Sequence, residues 1–251
     1  MKMSDTCAVI TGGASGLGAA TAHVFLAAGA KVALLDRDAK RGRQAAADMG
    51  ATFHETDVTD ESSVATALAD AKAEMGRITC VVNCAGIGTP GTTLGKDGPL
   101  PLATYQQVIN INLVGSFNVA RLGAEIISEN GPDEDGARGV IINTASIAAF
   151  EGQRGQVAYA SSKGGIAGMT LPMARDLARN GIRVMTIAPG IFATPMLAGL
   201  PEAAQQQLAA DVTCPQRLGD PAEYGRLAQF IVECGYLNGT VIRLDGALRM
   251  K

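Results

Sequence analysis

The sequence lacks a charge excess: 21 Lys plus Arg stand against 24 Asp plus Glu, a net charge of −3 with both histidines neutral. That balance removes the electrostatic reason to expect a nucleic-acid or anionic-membrane partner. Charged residues are sparse too, 18% against a usual ~25%, while 47% of the chain is hydrophobic, so a large core is affordable and disorder is excluded. No apolar run is long enough to span a bilayer. The longest uncharged window, 6–30, is broken by Gly12, Gly13, Gly16, Gly18 and Gly29. Asp5 and the brevity of Cys7–Ile10 argue against a secretory leader, and a soluble, cytoplasmic chain is expected. The five cysteines form no C-x-x-C and are odd in number, which points to reduced thiols. No His, Cys or carboxylate grouping has metal-ligand spacing. Neither His23 nor His54 adjoins the candidate site below.

What the sequence has in plenty is glycine, 31 of 251 residues, nearly twice the usual ~7% and without a collagen period. Short apolar runs at 7–10, 31–35, 51–55, 79–83, 140–144, 182–187 and 240–244 alternate with helical patterns. Seven strands separated by helices imply a parallel sheet covered on both faces, in one domain spanning 1–251. No repeat, charge run or linker divides it. Pro- and Gly-rich segments at 87–103, 129–139 and 190–213 read as loops, and the first and third leave the carboxyl ends of strands, where an open sheet binds its ligand.

Two constellations carry chemistry. The turn Thr11-Gly12-Gly13-Ala14-Ser15-Gly16-Leu17-Gly18 lies between a strand and a helix, where glycines let backbone approach a pyrophosphate at a helix N-terminus. Asp36 ends the second strand, where an acid bonds the ribose 2′-hydroxyl and repels a 2′-phosphate. NAD is therefore favoured over NADP, although the adjacent Arg37 is of the type that accommodates that phosphate. Farther on, Tyr159 and Lys163 are four residues apart in a helix expected over 157–180, hence on one face. A neighbouring ammonium is expected to lower the phenol pKa from its usual ~10. Ser146 follows the strand at 140–144, at its carboxyl end, beside the tyrosine.

These features, with Asn83-Cys84-Ala85-Gly86, Asn112-Leu113-Val114-Gly115 and Pro189-Gly190, resemble the short-chain dehydrogenase/reductase family over essentially the whole chain. The resemblance implies a Rossmann-type α/β fold with a seven-stranded parallel sheet. It also implies hydride exchange between a secondary alcohol and a nicotinamide dinucleotide. Ser146, Tyr159, Lys163 and Asn112 would be catalytic, Asn112 by anchoring a water that links the lysine to solvent. Gly12, Ser15, Leu17, Gly18, Asp36, Asp57, Val58, Cys84, Tyr159, Lys163, Phe192 and Thr194 would hold the cofactor. The stretches Ala149-Phe150-Glu151-Gly152-Gln153, Arg217-Leu218-Gly219-Asp220 and Ile242-Arg243-Leu244-Asp245 are similar to the 3-hydroxyacyl-CoA dehydrogenase branch. That branch implies interconversion of short-chain or branched 3-hydroxyacyl-CoA and 3-oxoacyl-CoA, and the family implies a homotetramer. Ser146, Gln153, Gln156 and Lys96 would contact the acyl-CoA, with Leu197 and Leu200 as a candidate apolar wall. The alternatives are a steroid or other secondary-alcohol dehydrogenase, an NADPH-dependent 3-oxoacyl reductase, or an NAD-binding scaffold or RNA-processing partner without turnover.

Overall fold

The computed structural model describes residues 1–198 and 201–250. The chain alternates as expected: β1 (Cys7–Thr11), α1 (Gly16–Ala27), β2 (Lys31–Asp36), α2 (Ala39–Met49), β3 (Thr52–Glu55), α3 (Glu61–Met75) and β4 (Cys80–Asn83). After β4 comes a short hairpin of β5 (Leu94–Gly95) and β6 (Gly98–Pro99), then α4 (Leu102–Ile109), a wide π-type turn (Asn110–Val114) and α5 (Gly115–Ser128). The rest is β7 (Gly139–Thr144), α6 (Ala148–Glu151), α7 (Val157–Leu177), β8 (Ile182–Pro189), α8 (Pro195–Ala198), α9 (Glu202–Ala210), α10 (Pro221–Glu233) and β9 (Val241–Leu244).

Seven strands form one parallel sheet in the order β3-β2-β1-β4-β7-β8-β9. The order reverses between β1 and β4, and a ligand crevice opens outside the carboxyl ends at such a switch point. Every residue of β1, β4, β7 and β8 is buried, because both faces of the sheet are covered. On one face, strand residues such as Val9, Val81 and Ile141 pack with Leu68 of α3, Val119 of α5 and Met173 of α7. On the other, Ile10, Val82 and Ile142 pack with Phe25 of α1 and Tyr224 and Ile231 of α10. Adjacent positions on a strand feed opposite layers, as the two-residue period requires.

Helix ends follow local chemistry. Asp38 caps α2 by accepting from Arg41 N, and α2 stops at Gly50 in a left-handed conformation. Asp220 and Glu223 form a capping box at α10, with Pro221 at its first position. Two expectations are corrected. The segments 87–103 and 190–213 are not plain loops: the first carries the β5–β6 hairpin and the second carries α8 and α9. Among the described residues no helix is long and apolar enough to cross a membrane.

Candidate active site

The end of β7 and the first turns of α7 meet at the carboxyl edge of the sheet. Ser146, two residues past Thr144, is buried, and its Oγ accepts a hydrogen bond from Ala148 N at 3.1 Å. Tyr159, on α7, stands near enough to Ser146 for that hydroxyl to act on its phenol. One turn later Lys163 is buried, donates from Nζ to Thr144 O at 2.8 Å and lies 5.6 Å from the centre of the Tyr159 ring. The three side chains therefore lie together at the carboxyl edge of the sheet. Burial pushes the Tyr159 phenol up from its usual value, and the Ser146 hydroxyl offsets part of that rise. Burial pulls Lys163 down to about 8, against the opposing influence of Cys84. The expectation that Lys163 lowers the phenol is thus not what this geometry gives. The ammonium sits beside the ring and is spent on a carbonyl, so desolvation governs the phenol instead.

Asn112 lies in the wide turn between α4 and α5 and is fully buried. Its Oδ1 accepts from Ile87 N at 2.8 Å, while Nδ2 donates to Ile87 O at 2.9 Å and to Ser162 Oγ at 3.1 Å. Ser162 Oγ in turn donates to Tyr159 O at 2.7 Å. One amide thus pins the segment following Gly86 and the first turns of α7 to each other. A Cβ built on Gly86 would lie 3.1 Å from Asn112 Oδ1 and 3.7 Å from Lys163 Nζ, which shows how closely the three converge. Wide turns of this type are frequent at functional sites.

The glycine turn is packed as tightly as the sequence implies. Gly12 has φ +64°, and a Cβ there would stand 2.9 Å from Ala85 N; one on Gly18 would strike Gly12 O. Ser15 is the N-cap of α1 and spends no side-chain hydrogen bond on capping it. The Asp36 carboxylate accepts from Ala14 N at 3.1 Å and from Asp38 N at 3.0 Å, tying the turn to the end of β2. Leu17 is half-buried against the core beneath.

The remaining cofactor-side candidates divide. Thr194 sits against the glycine turn, its Cγ2 3.7 Å from a Cβ built on Gly16. Cys84 lies at the end of β4, its N–H donating to Thr11 Oγ1 at 3.1 Å and its thiol pushed up by burial. Asp57 is held below the usual carboxylate range, chiefly by the Thr59 hydroxyl, which donates to Oδ1 at 2.7 Å. Two side chains are taken up in packing. Val58 is buried against Gly115, and Phe192 is buried with its ring against Gly219.

On the substrate side, loops 91–94 and 152–157 border an open cleft of about 520 Å³. Gln153 and Gln156 line it, and Gln156 Oε1 accepts from Gln153 N at 2.9 Å. Lys96 does not reach the cleft; it stands in solvent at the two-residue tip of the β5–β6 hairpin. Leu197 is half-buried, its N–H donating to Thr194 O at 2.9 Å, whereas Leu200 lies outside the described residues. Sequence reasoning missed Thr144, whose carbonyl holds Lys163 and whose hydroxyl meets Tyr224 at 2.7 Å, and Ser162. Ser162 was legible as the hydroxyl preceding Lys163, but its role depends on the distant Asn112.

The model of the short chain dehydrogenase family matches residues 6–205. The chain belongs to the short-chain dehydrogenase family. Across 248 residues it is 56% identical to human 3-hydroxyacyl-CoA dehydrogenase type-2, covering 97% of this chain and 95% of that protein. It is 51% identical over 252 residues to the protein of the same name in Drosophila melanogaster, covering 99% of each. The crystal structure of 3-hydroxyacyl-CoA dehydrogenase type-2 from Mycobacterium avium matches with a TM-score of 0.94 at 42% identity, over 98% of this chain and 96% of that one.

As a short-chain dehydrogenase this chain is an oxidoreductase, and the family implies a nicotinamide dinucleotide. The residues present fit that group. The close approaches at Gly12 and Gly18 leave backbone alone to face a pyrophosphate at the start of α1. The Asp36 carboxylate stands at the end of β2, where an adenosine ribose is recognised.

Proposed function

We propose that this short-chain dehydrogenase interconverts short-chain or branched 3-hydroxyacyl-CoA and 3-oxoacyl-CoA with NAD. The observation that carries the reading is Lys163, buried and bonded to Thr144 O, 5.6 Å from the centre of the Tyr159 ring with Ser146 beside them at the carboxyl edge of the sheet. The 51–56% identity to enzymes named for that substrate class supports it. When bound, the dinucleotide accepts or supplies the hydride at its nicotinamide ring. Tyr159 takes the carbinol proton in oxidation and returns it in reduction. Ser146 donates to the same substrate oxygen and stabilises the charge that develops there. Lys163 holds positive potential beside the phenol. Asn112 takes the relay position, and by gripping Ile87 and Ser162 it keeps the first turns of α7 in place.

NAD is favoured over NADP because the Asp36 carboxylate repels a 2′-phosphate. Ser15, Leu17, Thr194 and Cys84 supply the turn, the adjoining loop and the strand end around the dinucleotide, and Gln153 and Gln156 border the acyl group. A homotetramer suits the exposed apolar side chains in two places: Phe117 and Leu171 on α5 and α7, and Phe230 and Tyr236 on and just after α10. All five cysteines are free, as a reducing cytoplasm would keep them.

The test is a set of steady-state rates with acetoacetyl-CoA against ketosteroids, each with NADH and with NADPH. Acetoacetyl-CoA with NADH is expected to give the highest kcat/KM; a faster ketosteroid or a preference for NADPH overturns the assignment. Lys96 in solvent is the observation that favours keeping the steroid reading as second, since a coenzyme A phosphate then loses its expected cation.

A further inference from the structure

The helix that follows Ser146 is held from the far end of the chain. Glu151, the last residue of α6, receives Arg243 Nη1 on Oε1 at 2.5 Å and Met250 N on Oε2 at 3.1 Å. Arg243, on β9, also donates from Nε to Asp245 Oδ2 at 2.7 Å and from Nη2 to Leu248 O at 3.1 Å, and its guanidinium lies 5.5 Å from the Phe150 ring centre. Arg249 completes the group, donating to Asp245 Oδ2 at 3.1 Å. Both Glu151 and Arg243 are three-quarters or more buried at the side chain, so the pair is shielded from the screening that empties surface ion pairs of effect.

The same tail reaches two more loops. Leu248 and Met250 pack with Ile147 and Val212, Cys214 N donates to Gly246 O at 3.0 Å, and Thr213 Oγ1 donates to Ala247 O at 3.1 Å. Asp245 abuts Gly190, so closely that a Cβ there would stand 2.9 Å from Asp245 Cα. Residues 245–250 therefore bridge three segments at the carboxyl edge: the turn of Ser146, the start of the loop after β8, and the end of the segment 190–213.

We propose that Arg243 is a positioning residue for the reaction. Its fork joins Glu151 to Asp245 and the tail, fixing the Ser146 turn and setting it against the end of the 190–213 segment. This rests on the proposed role of Ser146, but the clamp itself can be tested without substrate. Hydrogen exchange of the Arg243→Met protein should speed at least tenfold at the amides of 147–151 and 212–214, while the amides of 163–174 in α7 stay unchanged. The kcat/KM for acetoacetyl-CoA should fall about tenfold, with the NADH dissociation constant within twofold of wild type. Arg243→Lys should recover part of the loss, and the near-isosteric Glu151→Gln should reproduce it if the methionine variant folds poorly. In a Ser146→Ala background Arg243→Met should cost no more than twofold further, because a residue acting through Ser146 has nothing left to position. An additive loss there, or wild-type exchange at 147–151, overturns the proposal. A wild-type protein inert towards acetoacetyl-CoA would instead overturn the substrate assignment and leave the exchange result to decide the clamp.

Discussion

Around the glycine turn the chain faces its ligand with backbone, whereas across the crevice the walls at 91–94 and 152–157 are loops joined by a main-chain bond from Gly91 N to Gly155 O (2.8 Å). In the first region the geometry is dictated by sterics that tolerate no side chain, as at Gly12 and Gly18. In the second it is dictated by which side chains the loops carry. Nucleotide recognition is therefore locked to the fold, while substrate preference can change without disturbing the sheet.

The sharpest break between chemistry and nucleotide binding is Tyr159→Phe. It removes the proton donor and little else, so turnover should fall by about 10³-fold or more while NADH still binds within twofold of wild type. Retained turnover in a stopped-flow assay would dissolve the assigned role. Next in size is a pH effect that separates burial from lysine assistance. With the phenol raised by burial, the tyrosinate needed for oxidation is scarce at neutral pH, and oxidation kcat/KM should climb nearly tenfold per unit from pH 6.5 to 8. Reduction needs the protonated phenol and should stay level over the same range. A plateau in oxidation already at pH 7 would show that the lysine lowers the phenol after all.

On the nucleotide side, Asp36→Ala should shift the NADH to NADPH ratio of kcat/KM by about tenfold towards NADPH, since a repulsive carboxylate is gone. An unchanged ratio would assign discrimination to Arg37. On the substrate side, Lys96→Ala should change KM for acetoacetyl-CoA by less than about twofold at 0.15 M salt, because a solvated charge at a hairpin tip is screened. A larger rise would mean that the hairpin folds over the cleft during turnover.

This contrast also explains what the sequence made legible. The β1–α1–β2 unit, Asp36 and the Tyr159–Lys163 pair are local patterns, readable because a strand, a turn and a helix lie in a row. Helix α7 runs 157–177 with a 3-10 turn to Asn180, close to the expected span. The wide turn at 110–114 carries no Gly or Pro to announce it; the grip of Asn112 on Ile87, 25 residues away, makes it worthwhile. The β5–β6 hairpin is too short for alternation to reveal. The packing of the Phe192 ring against Gly219 joins segments 27 positions apart, so no local pattern announces it. Glu151 and Arg243 are 92 positions apart, beyond the reach of any periodicity.

The wide turn ahead of α5 has a developmental cost for any engineered or drifting version of this chain. An α-helix advances about 100° per residue, so dropping one residue between 110 and 114 to restore regular winding would swing Asn112 off Ile87 or rotate the buried stripe of α5 out of phase. Length is thus fixed there more strictly than composition, and a single-codon deletion in this stretch would do more harm than most substitutions.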